Sequence, residues 1–279
     1  MKLLDGKLVR ESGLPVLTER IKNLSFVPCL VIIQIGNRPD SDAFIRAKKS
    51  FAKKIGVNEI HVQLSEQVSQ QEVLEVIAKY NGEKDVQGII VQLPLPIHLN
   101  SETIIDSIDP KKDVDGLTPF NMKRLLDGHE EAIIPATARG IRQLLKFYNI
   151  DLFGKKVTVV GRSTLVGKPI ALMCLNENAT VTVCHSRTSN LAEETRKADI
   201  LIVAIGKPNF IGKDHVNKSQ IVIDVGISRQ ADNTLTGDVN FEEVKDLVEM
   251  ITPVPGGVGQ MTVLALFENL IDLCYNSSN

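Results

Sequence analysis

KKVTVVGRSTLVGKPIALMCLNENATVTVCHSRT, residues 155–188, decides the fold of the second half of this chain. Lys155–Gly161 is a β-branched apolar run and reads as a buried strand. Gly167–Asn178 is long enough for a helix, and Ala179–His185 is again strand-like. A strand, a helix and a second strand in quick succession form a βαβ unit, which lays its strands parallel. Gly161 permits the tight turn, and Gly167 lets the helix approach the strand closely. The helix start offers N–H groups and a positive dipole end to a phosphate. The turn departs from the dinucleotide fingerprint G-x-G-x-x-G: Ser163 replaces the middle glycine, and the last spacing is one residue longer. The second strand ends in His185-Ser186-Arg187-Thr188, with no acid to bind a ribose 2′-hydroxyl. Arg162, Ser186 and Arg187 suit a 2′-phosphate instead, which favours NADP over NAD. The plain alternatives are a turn without a ligand and a solvated Arg187.

The same alternation extends outward in both directions. Strands are expected at Cys29–Gly36, Glu59–Leu64, Gly88–Leu93, Asp199–Ile205 and Gln220–Gly226. Helices are expected at Asp40–Ile55, Ser69–Tyr80, Ser101–Ile108, Thr137–Tyr148, Asn190–Ala198, Phe241–Val248 and Met261–Tyr275. The class is α/β with mostly parallel sheets. A length of 279 residues suits two domains. The pattern places them at 1–118 and 119–261, with the last helix, 262–279, packing back on the first and Asn276–Asn279 as a frayed tail. Lys and Arg total 32 against 34 Asp and Glu, so the basic excess of a nucleic-acid binder is missing. No apolar run reaches the roughly 18 residues of a membrane span. Charges in MKLLDGKLVRESG argue against a signal peptide. Four scattered cysteines without a CxxC pair suggest neither structural zinc nor disulfides, and point to the cytoplasm.

Several polar residues stand where chemistry is plausible. Lys48 shares a helix face with Phe44 and lies near Ala47 and Phe51. Burial would lower its pKa from about 10.4 towards the range of a general acid/base. Gln92 interrupts the apolar strand GIIVQLPLP near its carboxyl end, where α/β sheets place ligands. Asp113 and Asp115 flank Val114 in a turn, and one of them suits bidentate hydrogen bonding to an amino-heterocycle. Thr252–Gly259, TPVPGGVG, suits close backbone approach to a ligand. The plain readings are a surface lysine, a satisfied core glutamine, an Asx turn and a helix-start loop.

Taken together these segments resemble the bifunctional methylenetetrahydrofolate dehydrogenase/cyclohydrolases along nearly the whole chain. The resemblance runs through Leu4-Asp5-Gly6-Lys7, Ser41…Lys48, Val91–Pro96 and Lys112–Gly116. It continues through Gly161–Pro169, Asp224–Ile227, Gly237-Asp238-Val239 and Thr252–Gly259. It implies an N-terminal folate-binding catalytic domain and a C-terminal Rossmann-type NADP-binding domain. The implied activity is oxidation of 5,10-methylenetetrahydrofolate with NADP, then hydrolysis of the methenyl product to 10-formyltetrahydrofolate. This is one-carbon metabolism feeding purine biosynthesis, carried out by a cytoplasmic homodimer without a metal. The family's catalytic Lys falls on Lys48, its hydrogen-bonding Gln on Gln92, and its pterin-holding Asp on Asp115. Ser41, Phe44, Pro94, Gly256 and Gly257 fall on substrate positions. Gly161, Arg162, Ser163, Gly167, Ser186, Arg187, Ile227 and Thr262 fall on cofactor positions.

The chain departs from the family pattern at Phe44, where the family has Tyr one turn before the Lys. Ala136 and Ala138 replace Cys and Pro of a Pro-Cys-Thr-Pro segment, and Gln260 replaces a Pro. The segment before the first strand looks short enough to trim a helix. Phe44 keeps open a monofunctional NADP-dependent dehydrogenase. A non-catalytic dinucleotide or folate sensor is a reading of another class, and the presence of Lys48, Gln92 and Asp115 together speaks against it.

Overall fold

The computed structural model describes residues 2–230, 232 and 234–276. In chain order the elements are β1 (Lys2–Leu3), α1 (Gly6–Lys22), β2 (Cys29–Ile35), α2 (Pro39–Ile55), β3 (Asn58–Leu64), α3 (Gln70–Gly82) and β4 (Gly88–Val91). Next come α4 (Ser101–Asp106), α5 (Pro119–Leu126), α6 (Ala136–Phe147), β5 (Lys156–Val160), α7 (Gly167–Asn176), β6 (Thr180–Cys184) and α8 (Leu191–Arg196). The chain ends with β7 (Ile200–Val203), β8 (Ile221–Asp224), β9 (Ser228–Arg229), β10 (Leu235–Thr236), α9 (Phe241–Val244), β11 (Met250–Ile251) and α10 (Val258–Asn276). Ser277–Asn279 of the expected tail lie outside the described residues, while Asn276 still belongs to α10. Two compact units result: Gly13–Ala136 with the chain from Val263 onward, and the residues up to Ser12 with Thr137–Thr262.

The unit built on Gly13–Ala136 holds a three-stranded parallel sheet, β3-β2-β4. Central β2 is buried at every position, as a parallel strand covered on both faces must be. Val31, Ile33 and Ile35 pack with Val73 and Ile77 of α3 and Ile104 of α4. Gln34 is the polar exception in β2: its amide donates to Asp42 at 2.6 Å, and its Oε1 meets His61 Nε2 at 2.8 Å. That satisfies the requirement that a buried amide be hydrogen-bonded. α3 starts on a capping box, with the Ser69 side chain accepting from Glu72 N–H while Glu72 reaches back to Ser69 N–H. The last helix packs on this unit. Phe267 meets Phe51 of α2 at 5.3 Å between ring centroids. Fully buried Asn269 donates to the carbonyls of Val114 and Ile134 at 2.8 and 3.0 Å.

The other unit is a six-stranded sheet in the order β1-β11-β8-β7-β5-β6, parallel at each pairing. β6 follows β5 on one side, and β7 crosses back to the other. The order therefore reverses at β5, and the turn after β5 lies at the topological switch point where open α/β sheets bind ligands.

Some expected elements differ from those observed. β4 ends at Val91 rather than Leu93, because Pro94 cannot continue a ladder. α1 is a full helix of 17 residues, not a trimmed one; Asp5 Oδ1 caps it by accepting from Lys7 and Leu8 N–H. α5 occupies Pro119–Leu126, where only a boundary was expected. β1 and β11 carry two residues each, too few to show periodicity. Through them the first residues of the chain pair into the six-stranded sheet.

Candidate active site

α2 shows why Lys48 is unusual. Its buried stripe is Ser41, Ile45, Lys48, Phe51, Ala52 and Ile55, a 3-and-4 spacing that faces a core. Phe44 and Ala47 were expected on that apolar face but are exposed, Phe44 at 39 %. The lysine itself thus occupies a core position, 7 % exposed. Its Nζ donates to Gln92 Oε1 at 2.8 Å. Gln92 lies one residue past β4, yet its N–H still donates to Ile33 O, which extends the ladder and fixes the side chain. Its own amide donates to Leu93 O at 2.8 Å, so Oε1 is left facing the lysine. Pro94, exposed, follows through a cis peptide bond.

The turn after Ile108 separates the roles of its two acids. Asp113 is buried and accepts from Gly116 N–H (2.9 Å), Thr118 N–H (2.8 Å) and Asn121 Nδ2 (2.9 Å). Both of its oxygens are engaged in building the turn. Lys112 anchors the same turn from behind, donating to the carbonyls of Tyr80, Asn81 and Glu83 around the end of α3. Asp115 is the acid whose electrostatics are tied to Lys48. Burial pushes its carboxyl up to about 6, with the Lys48 ammonium opposing and Asp113 adding to the shift. Burial lowers the Lys48 pKa, and the Asp115 charge opposes that. Burial thus drives both groups towards neutrality, while each draws the other towards its charged form. Lys48 is thus a lysine of lowered pKa at a fixed position, which is the direction an acid/base group requires.

In the unit with the six-stranded sheet, Gly161 has φ +131° and Gly167 opens α7. A Cβ on Gly161 would come within 2.2 Å of Ala204 O, and one on Gly167 within 2.3 Å of Gly161 O. Neither position accepts a side chain. Gly161→Ala is therefore expected to destabilise the protein by about 3 kcal/mol or more and to weaken dinucleotide binding. A thermal melt unchanged within error would contradict this.

Ser163 corrects one expectation about this turn. Its Oγ accepts from Val166 and Gly167 N–H at 3.2 Å each, and its carbonyl accepts from Lys168 N–H at 2.9 Å. These groups of the α7 first turn are already engaged within the chain. The dipole end remains, and exposed side chains surround it. β5 and β6 pair in register, Val160 against Cys184, and Gly161 N–H donates to Cys184 O. Arg162 and the pair Ser186 and Arg187 thus leave neighbouring strand ends, all exposed. That donor set of two cations and hydroxyls, with no carboxylate at the end of β6, fits a phosphorylated ribose.

The loop 252–259 is braced in the same unit. Gly6 N–H donates to Gly256 O at 2.9 Å, and a Cβ on Gly6 would lie 2.1 Å from Gly257 O. Ile227 is exposed beyond β8. Thr262 lies in α10, its Oγ1 donating to Val258 O. α10 begins at Val258, so Gln260 is already inside its first turn.

Two family models match the chain: the tetrahydrofolate dehydrogenase/cyclohydrolase catalytic domain over residues 4–115, and the NAD(P)-binding domain of the same family over residues 135–278. The chain belongs to the tetrahydrofolate dehydrogenase/cyclohydrolase family. Among its relatives in the family is the bifunctional protein FolD of Agathobacter rectalis, 46 % identical over 97 % of this chain and 98 % of that one. The crystal structure of the bifunctional FolD methylenetetrahydrofolate dehydrogenase/cyclohydrolase of Campylobacter jejuni superposes with a TM-score of 0.96 at 41 % identity, covering 99 % of both chains. The Trypanosoma brucei dehydrogenase-cyclohydrolase, solved with NADP and an inhibitor, gives 0.93 at 33 % identity, covering 99 % of this chain and 97 % of that one. The family places a catalytic domain where Lys48, Gln92 and Asp115 lie and a dinucleotide-binding domain where the Gly161–Gly167 turn lies.

Proposed function

We propose that this chain oxidises 5,10-methylenetetrahydrofolate to the 5,10-methenyl form with NADP and hydrolyses that product to 10-formyltetrahydrofolate, with Lys48 as the acid/base of the second step. The observation that carries the reading is the buried Lys48 ammonium, held by Gln92 at 2.8 Å, with its pKa lowered by burial.

Gly161, Gly167, Arg162, Ser163, Ser186 and Arg187 would hold the cofactor, with Ile227 and Thr262 towards its nicotinamide. When bound, NADP supplies a hydride acceptor. The chain's own contribution to that step is positioning, since hydride transfer requires no protein acid or base. Asp115 is assigned to the pterin: a carboxylate accepts two parallel N–H donors from an amino-heterocycle. Phe44 stacks on the aminobenzoyl ring, a contact of about 0.5–1.5 kcal/mol beyond area burial. Ser41, Pro94, Gly256 and Gly257 line the substrate.

Ring opening requires proton management. Water adds to the methenyl carbon, and neutral Lys48 takes a proton from it. The carbon–nitrogen bond to one ring nitrogen then breaks, Lys48 returns the proton to that nitrogen, and the hydroxyl on the former methenyl carbon gives its own proton to solvent as the formyl C=O forms. Gln92 holds the lysine in place throughout. On the family resemblance the chain is further assigned to the cytoplasm as a homodimer in one-carbon supply for purine synthesis. No helix among the described residues is long and apolar enough to cross a membrane.

A second reading, the monofunctional dehydrogenase, is favoured by one residue. Phe44 lacks the hydroxyl that a tyrosine would bring one turn before Lys48. Under the bifunctional reading the hydrolysis survives but is weakened, and Phe44→Tyr raises the cyclohydrolase-to-dehydrogenase ratio by about threefold or more, the effect of one added hydrogen bond. Separate assays with methylene- and methenyl-tetrahydrofolate test both points. A wild type that reduces NADP but never accelerates methenyl hydrolysis selects the monofunctional enzyme.

A further inference from the structure

The carboxylates of two motifs, Asp224 in Asp224-Val225-Gly226-Ile227 and Asp238 in Gly237-Asp238-Val239, are given no role above, yet they meet in the six-stranded-sheet unit. Asp224 and Asp238 are buried carboxylates, 3 % and 0 % exposed. Asp224 Oδ1 accepts from Gly226 and Asp238 N–H at 3.0 Å each, and its Oδ2 from Val239 N–H at 2.9 Å. Asp238 Oδ2 accepts from Ile205 and Gly206 N–H at 2.7 and 3.0 Å, and its Oδ1 from Lys207 N–H at 2.7 Å. The main-chain N–H of Asp224 donates to Thr252 Oγ1 at 2.7 Å, where the loop 252–259 begins. The packing leaves no slack: a Cβ on Gly237 would lie 1.9 Å from Asp224 Oδ2, and one on Gly226 2.2 Å from the Asp238 carboxyl carbon.

Two carboxyl groups buried side by side are a costly way to close a turn. Burial, with the Asp238 charge adding to it, pushes the Asp224 carboxyl up to about 7. What the pair achieves is broader than one turn. It ties the loop after β7, the loop after β8 and the segment 237–239 to one another, and Thr252 adds the loop after β11. β11, β8 and β7 are neighbours in the sheet, with β5 and its Gly161 turn next in line. All these loops leave the carboxyl ends of parallel strands, the edge where α/β sheets hold dinucleotides.

We propose that Asp224 and Asp238 are positioning residues for the dinucleotide, a two-carboxylate relay that fixes the loop 205–207 and Ile227 at the height the nicotinamide end requires. The inference rests on the NADP reading above. An amide at either position keeps the volume but turns one acceptor into a donor facing an N–H group.

The test compares wild type, Asp238→Asn and Asp224→Asn. It measures KM and kcat for NADP in the dehydrogenase assay, methenyl hydrolysis without NADP, and hydrogen exchange of the segment 204–209. Asp238→Asn is expected to raise the NADP KM by about tenfold or more, with faster exchange of 204–209. Methenyl hydrolysis should stay within about twofold of wild type. Asp224→Asn, which spares the direct contacts to 205–207, should show a smaller rise. An unchanged NADP KM, a parallel loss of both activities, or failure of both variants to fold overturns the proposal in favour of a purely structural pair. Fast exchange of 204–209 in the wild type also overturns it, without any variant. A wild type that neither binds nor reduces NADP instead removes the functional reading on which the inference rests.

Discussion

Lys48→Met is expected to lower methenyl hydrolysis by about 10²–10⁴-fold, the contribution of a positioned acid/base, while dehydrogenase turnover survives. The asymmetry follows from the chemistry. Hydride transfer needs its reactants held, whereas ring opening needs a proton taken and returned. Methionine is unbranched and fills nearly the volume of the lysine stem, so the core around Ile45, Phe51 and Ala52 stays packed. The substitution removes a desolvated ammonium but leaves Gln92 Oε1 without its donor, a penalty of about 1–3 kcal/mol. These effects oppose one another, so the melting temperature should shift by only a few degrees. Parallel loss of both activities in a folded Lys48→Met protein would remove Lys48 from the proton-transfer role and make it a binding residue.

Asp115→Asn is expected to lower both reactions, by about 10²-fold in kcat/KM, since a desolvated carboxylate pairing two N–H donors is worth several kcal/mol. Its pH signature is more specific. In the wild type the Asp115 carboxyl is raised to about 6, so it becomes protonated below that pH. Both kcat/KM profiles should therefore fall on the acid side of about pH 6. The asparagine variant has nothing to titrate there and should lose that limb. A second shift follows from coupling: the Asp115 charge raises the Lys48 pKa against burial. Without that charge Lys48 loses its proton more readily, so the limb of methenyl hydrolysis that reports neutral lysine moves to lower pH. The same sign applies to stability. A carboxyl raised on folding is stabilising while protonated, and that contribution is lost as the pH climbs from about 4 to about 6. An acid limb that persists unchanged in Asp115→Asn would assign it to another group.

Much of this was legible beforehand because the relevant signals are local. The run Lys155–Gly161 could only be a buried strand, and the glycines after it could only mark a turn too tight for side chains. Lys48, Gln92 and Asp115 stood out through a motif resemblance whose order along the chain left little freedom. What could not be read locally was which face of α2 is buried. The pattern grouped Phe44 and Ala47 with Lys48, Phe51 and Ile55 on one apolar face, whereas only the last three of these are buried. Packing of Phe51 against Phe267, far along the chain, sets the true stripe and buries the lysine with it. Residue type alone did not distinguish Asp113 from Asp115, since two acids flanking one valine read alike, and only the resemblance singled out Asp115. In the structure, the N–H groups of Gly116 and Thr118 and the Asn121 amide converge on Asp113 and occupy both of its oxygens.

By itself, then, the sequence determined the α/β class, the parallel strands, the family and the identity of the chemical groups, all of which depend on residue type and short spacing. Tertiary structure decided the burial that lowers the Lys48 pKa and raises that of Asp115, the engagement of the α7 first turn by Ser163, the pairing of the first residues into the six-stranded sheet, and the meeting of Asp224 with Asp238. Each of these depends on desolvation or on hydrogen bonds between backbone segments. Those quantities exist only once distant parts of the chain are held side by side and water has been excluded from between them.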